Sequence, residues 1–249
     1  TRVIPIRNKD WEWSLSLNYS YNKNKIKKIS NFLREQNEKN QADRRNIQPI
    51  YEEGQSLTAL KVVSSAGIDP ITGNEVYIKR DGSLTFVYDP NDKVVYGDTT
   101  PFGMGSIGSY LTYKQFSMGM SMRYSFGGIV YNQTLASKVE GSDPRFNADE
   151  RVFNDRWKEV GQQAKYKRIS DSSIPMQTSR FVETNNYITL SSLSLAYEVP
   201  LTFIKQYGLN RLHLEMLAND LFYLSSVKRE RGLNYPYERS VELSVRFGF

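Results

Sequence analysis

Five charged residues, Glu12, Arg123, Glu215, Glu242 and Arg246, alternate with apolar neighbours. Carboxylates and guanidinium groups in that setting suit charge-assisted hydrogen bonding to each other, to water or to a polar ligand. Arg123, Glu215, Glu242 and Arg246 are therefore the candidate substrate-binding residues. The chain has one histidine, His213, and no cysteine. Thiol chemistry, disulfides and His-rich metal sites are excluded. No triad, zinc site or phosphate loop is visible, so no catalytic, cofactor-binding or metal residue is assigned and the chain is not read as an enzyme. Asp69, Thr72 and Asn74 offer oxygen ligands, but the regular ligand spacing of a calcium loop is absent. The pair Glu52-Glu53 sits in a polar loop and reads as solvated charge.

The elements that position these groups are strands of period two. In Ser240–Phe249, Val241, Leu243, Val245, Phe247 and Phe249 share one parity, while Glu242 and Arg246 lie on the other. Successive strand side chains point to opposite faces, so this is one apolar and one polar face. Trp11 to Lys23 alternates as cleanly, with Trp at one end, Tyr at the other and Leu between. Aromatics flanking aliphatics is the profile of a bilayer-spanning strand, and the run exceeds the roughly 9–11 residues needed to cross. Residues 116–126 repeat the pattern with Met118, Met120 and Met122; 211–224 repeat it with Leu212, Leu214 and Met216. In 187–199 the apolar parity changes between Leu190 and Leu193, which predicts a bulge near Ser191-Ser192. A basic charge on a lipid face at mid-membrane costs roughly 2–4 kcal/mol. Alternation keeps Arg123 and Arg246 off that face.

Between the strands lie polar segments. Residues 24–54 hold a predicted helix at Ile29–Glu38, followed by a strand over Ser56–Val63. Gly67-Ile-Asp-Pro-Ile-Thr-Gly-Asn74 is a turn, with Glu75–Lys79 extended after it. Tyr113–Phe116 is a tight reversal and Gly127-Gly128 a bend. Asn147–Val160 reads as a helix stopped by Gly161, and the basic stretch after it shows no regular pattern. Residues 225–238 are a charged loop. Connections alternate between short (114–115, 200–210) and long (24–104, 132–186, 225–238). Bacterial outer-membrane barrels have short periplasmic turns and long extracellular loops. With the C-terminus periplasmic, the strands number seven or nine. Single-chain bacterial barrels carry even numbers, so the expectation is the C-terminal part of a larger barrel. Strand 240–249 is expected to pair with 211–224, and residues 11–23 are not expected to close onto it.

Net charge is +6 and the pI about 9.2, but the basic residues are spread through loops such as Lys23–Lys28 and Lys165–Arg168. No nucleic-acid-binding signature accompanies them, and no nucleic-acid partner is expected. Mean hydropathy is −0.56, and no run of about 18 apolar residues exists. A barrel needs none, because half of each strand faces the lumen. No signal peptide is visible at Thr1, which is not Met.

Several stretches resemble one family in the right order. They are Gly67-Ile-Asp-Pro-Ile-Thr-Gly73 with Tyr77 and Asp81-Gly82; Pro101-Phe-Gly-Met-Gly105 through Tyr113-Lys114, Phe116 and Gly127-Gly128; and Arg156-Trp157 with Gly161. Leu190 to Pro200, Ala218-Asn-Asp-Leu-Phe222, in which Asp220 is an insertion-like departure, and Tyr235-Pro236 continue the series. Together they resemble the SusC/RagA family of TonB-dependent outer-membrane transporters. The resemblance implies an all-β, antiparallel transmembrane barrel of about 22 strands around a plug. This chain would be its C-terminal strands and long loops, the plug and earlier strands lying outside it. It also implies TonB–ExbB–ExbD acting through the plug, a SusD-like surface lipoprotein, outer-membrane lipid around the barrel, and a glycan or peptide substrate. No cofactor is implied.

Two other functions fit the residues: a structural or secretion-associated barrel in a larger outer-membrane assembly, and a soluble β-sandwich carbohydrate-binding module. The sandwich predicts extraction without detergent.

Overall fold

The computed structural model describes residues 1–44, 46–143, 145–146, 149–171, 173–228 and 239–249. Eleven strands are present among them: β1 (Arg2–Arg7), β2 (Trp11–Ser20), β3 (Ala59–Ile68), β4 (Glu75–Ile78), β5 (Leu84–Thr85), β6 (Lys93–Asp98), β7 (Gly103–Tyr113), β8 (Phe116–Tyr131), β9 (Val182–Glu198), β10 (Arg211–Ser225) and β11 (Ser240–Gly248). The chain divides into two compact units. One comprises Thr1–Asn22, Pro101–Gly127 and Asn185–Phe249; the other comprises Lys23–Thr100 and Gly128–Thr184.

The first unit is a seven-stranded sheet in the order β1-β2-β7-β8-β9-β10-β11. The ladders β1–β2, β2–β7, β7–β8, β9–β10 and β10–β11 are antiparallel. Short connections therefore join the strands at one end of the sheet, and the long segments leave from the other. The reversal at 114–115 works because Lys114 adopts a left-handed φ of 51°. β11 pairs with β10 and not with β2, so the expected edge strand is found. Apolar side chains stack across the ladder: Trp11 on Tyr113 at 4.1 Å, and Phe116 on Tyr197 at 4.4 Å between ring centroids. Leu243 is 80% exposed and Phe247 61%. A sandwich would bury such a face beneath a second sheet. No second sheet covers it among the described residues of this unit.

The bulge is displaced from its expected place. In the β9–β10 ladder Asn219 faces Ser192 and Phe222 faces Leu190, so the extra residue lies on β10. Asp220, with φ 50°, marks it. The extra residue sets Leu190 and Ile188 opposite Phe222 and Leu224: the apolar residues change parity in β9 but keep even parity along β10, whose inserted residue makes up the difference.

The second unit contains the four-stranded sheet β5-β4-β3-β6. Residues 59–98 thus form their own sheet and add no hairpin to the seven-stranded one. β5 and β6 were not anticipated from the sequence. Helix α1 (Asn31–Ala42) replaces the predicted 29–38; the Ser30 side chain accepts from the Leu33 amide and fixes its start. Of the predicted helix 147–160, residues 147–148 lie outside the described residues and the rest contains only the short α2 (Arg151–Asn154); a π-helical segment, Leu135–Glu140, precedes it. Trp157 and Val160 lie beyond α2, because Asp155 already accepts from the Lys165 and Tyr166 amides as the chain turns back. Ala136, Val139, Val152, Tyr166 and Phe181 form one core; Val63, Tyr77 and Tyr88 form another. Of the charged loop 225–238, residues 229–238 lie outside the described residues, as do Tyr235-Pro236.

Candidate functional site

The polar face of the sheet brings two of the four candidates together. Register sets Glu215 opposite Ser244 and His213 opposite Arg246, so Arg246 is one diagonal step from Glu215. An Arg246 Nη2–H donates to Glu215 Oε2 at 2.9 Å. Glu242 faces Leu217 and stands apart from that pair. Arg123 donates from Nε to Ser191 Oγ at 2.8 Å, and Glu12 lies 3.5 Å from Arg7. Three members were missed: Glu198, Arg211 and His213. Arg211 Nε donates to Glu198 at 2.9 Å, and His213 Nδ1 is 2.8 Å from the same carboxylate. The signal was available, since Glu198 and His213 hold the polar parity of adjacent strands. The resulting row Arg211–Glu198–His213–Glu215–Arg246 presents both signs of charge near the short-connection end. Further along the same face, Ser14, Ser16, Gly108, Ser121, Ser192 and Ser194 line a shallow polar depression of about 430 Å³. Hydroxyls and paired charges can bind a polar solute by exchangeable hydrogen bonds; the face holds no nucleophile with a base beside it among the described residues.

In the second unit, motifs far apart in sequence meet. Asp69 folds its own turn: its carboxylate accepts from the Thr72 hydroxyl at 2.6 Å and the Thr72 amide at 3.0 Å. The Thr72 hydroxyl holds that carboxyl below its usual range. The carboxylate is thus engaged in the turn rather than offered with Asn74 to a cation. Trp157 Nε1 and the Gly161 amide both donate to the Pro70 carbonyl, at 3.0 and 2.9 Å. A Cβ on Gly73, where φ is +69°, would meet the Trp157 ring at 2.6 Å. The glycine is therefore required twice, by the turn and by the indole.

The basic stretch after Gly161 is also ordered from within. Arg180 pairs with Glu75 at 2.8 Å and with Glu140 at 2.7 Å, both carboxylate side chains being 1% exposed. Burial pushes the Arg180 guanidinium down, but the two carboxylates outweigh it and hold it above its ordinary value. Buried Arg156 donates to the carbonyls of Val139, Glu140 and Val152. Sequence periodicity carries no sign of this cluster, because its members are single residues on short elements far apart in the chain. Lys93, 1% exposed, donates from Nζ to the carbonyls of Gln41 and Asp43, at 3.1 and 2.7 Å, closing the end of α1.

No family model matches the chain. TonB-dependent receptor P3 of Formosa agariphila is 29% identical over 160 residues, which is 63% of this chain and 15% of that protein. Among solved structures, a RagAB peptide importer chain in the open-open state superposes on all of this chain with a TM-score of 0.78 and 18% identity. A chain of the RagAB peptide transporter covers 91% of it with a TM-score of 0.72 and 19% identity. In sequence the chain is similar to a portion of a TonB-dependent receptor, and in fold to a portion of the RagAB chains. It spans 15% of the curated relative and 25–28% of the two solved chains. These relatives are named as a receptor and as transporters rather than enzymes. The expected resemblance, drawn from motifs such as Gly67–Gly73 and Arg156-Trp157, is thereby supported by sequence and by superposition.

Proposed function

We propose that this chain forms wall strands and extracellular loops of a large plugged barrel in the outer membrane, one that imports bulky nutrients with energy from TonB. The observation that carries the reading is the seven-stranded sheet itself. It has one uncovered apolar face, one polar face, and long segments leaving from a single end. An apolar sheet face needs lipid or a second sheet, and a polar face needs a lumen. The similarity to the receptor from Formosa agariphila and to the RagAB chains supports the same assignment.

In the full protein the remaining strands bring the barrel to about 22, and a plug fills the lumen. β1 and β11 then pair with strands outside this chain, because unpaired backbone groups in hydrocarbon cost several kcal/mol each. The short turns and the C-terminus face the periplasm and the long loops the exterior, where a SusD-like lipoprotein captures oligosaccharide or peptide. Arg123, Glu215, Glu242 and Arg246 line the solute path on the polar face.

Deleting the full-length gene should abolish growth on the imported nutrient at limiting concentration while leaving growth on a porin-permeant sugar intact. Affinity purification of the full-length protein from outer membranes should recover a surface lipoprotein. Unimpaired growth of the deletion strain on every peptide and oligosaccharide source supporting the parent would overturn the transport assignment.

A further inference from the structure

The apolar face of the sheet is not uniform. At the short-connection end Tyr113, Phe116, Tyr197, Leu195, Leu214 and Met216 enclose an apolar groove of about 480 Å³. That lies within the roughly 300–1,000 Å³ of ordinary ligand sites. The Phe116 and Tyr197 rings, 4.4 Å apart, form part of its lining. Register pairs Tyr197 with Leu214 and Leu195 with Met216, so the groove runs two residues up the strands, about 7 Å. Its lower rim is charged. Lys114 occupies the reversal between β7 and β8, and its Nζ lies 5.3 Å from the centroid of the Tyr113 ring. The Glu198 amide donates to the Gln115 carbonyl at 2.9 Å and ties that turn to the end of β9.

We infer that this groove is a phospholipid site: one acyl chain lies between the Phe116–Tyr197 pair and Leu195–Met216, and the headgroup phosphate meets the Lys114 ammonium at the rim. The inference rests on the reading of this face as membrane-facing. On such a face the solvent is lipid, and a cation one residue beyond the last groove-lining aromatic of β7 sits at the level of headgroups. An anionic phospholipid matches both halves, an apolar trough and a positive charge beside it, in the leaflet on the short-turn side.

The test uses the full-length transporter, delipidated in detergent, given phosphatidylglycerol or phosphatidylethanolamine, and observed by native mass spectrometry. Lys114→Asn removes the charge and keeps a residue that tolerates the left-handed φ. Leu195→Phe with Met216→Phe fills the groove on an exposed apolar face, and Lys79→Asn in the other unit is the control. Heat-modifiable gel migration reports that each variant is folded. One phosphatidylglycerol should survive activation that strips the rest. Lys114→Asn should lower its retention about fivefold, the weight of one lysine beside an anionic headgroup. The filled groove should lose both lipids, with Lys79→Asn unchanged. Equal retention in all four folded proteins would mean annular lipid only and would overturn the inference while leaving the barrel intact. Partition of the wild-type protein into the aqueous phase would instead overturn the membrane reading on which it rests.

Discussion

At the scale of single residues, the second unit depends on buried charge. Arg180 stands between two carboxylates with 1% exposure. Removing one member of a buried ion pair leaves the others uncompensated and costs about 3–5 kcal/mol. Arg180→Met should therefore expose segments 23–100 and 128–184 to proteolysis, and adding Glu75→Gln and Glu140→Gln should restore much of the resistance. Limited proteolysis of the three proteins distinguishes these outcomes. Lys93 supplies a pH signature. Burial brings it down to about 8 from its ordinary 10.5. Between those values the unfolded chain holds a proton that the folded chain has released, so stability rises with pH. Wild type should gain on Lys93→Met by up to about 3 kcal/mol across that window. Paired thermal melts at pH 8 and 10 check it; a constant difference would contradict the assignment.

At the scale of elements, two irregularities set geometry. Asp220, at φ 50°, is the extra residue that keeps Phe222 opposite Leu190. Asp220→Gly should be neutral or slightly stabilising, whereas the β-branched Asp220→Val should cost about 1–2 kcal/mol. The yield of heat-modifiable folded protein reads both. Gly73→Ala confronts a positive φ and the Trp157 ring at once. It should cost more than the roughly 1 kcal/mol of a strained backbone alone. Its specific mark is new cleavage around 157–168, where Arg168 donates from its amide to the Gly73 carbonyl.

At the scale of the whole molecule, the proposed barrel makes membrane insertion depend on strand parity. Leu243 and Glu242 are neighbours on opposite faces of β11. Leu243→Arg should cost roughly 2–4 kcal/mol where the strand crosses the bilayer, while Glu242→Arg should fold normally. Quantifying assembled full-length protein in outer-membrane fractions separates them; equal yields would remove the lipid-facing assignment. For transport, Glu215→Gln with Arg246→Gln should leave assembly unchanged, since exposed ion pairs contribute at most about 1 kcal/mol. Uptake should fall if the pair lies on the solute path.

The large sheet was legible because each strand repeats with period two, and one buried or lipid-facing side forces that repeat into the sequence. Trp11–Ser20 and Ser240–Gly248 needed nothing more. The loop unit was only partly legible: helix 147–160 was too long, and β5 and β6 were missed. Within the candidate site, the shared polar face was visible in the parity of Glu215 and Arg246, but their contact was not. By itself the sequence determined which residues share a face along an unbroken strand and where the chain reverses, since both follow from local backbone geometry. Only the tertiary structure decided that the extra residue sits at Asp220, that Trp157 caps Gly73, and that Arg180 joins Glu75 to Glu140. Those depend on inter-strand register and on contacts between residues distant in the chain, which no local period records.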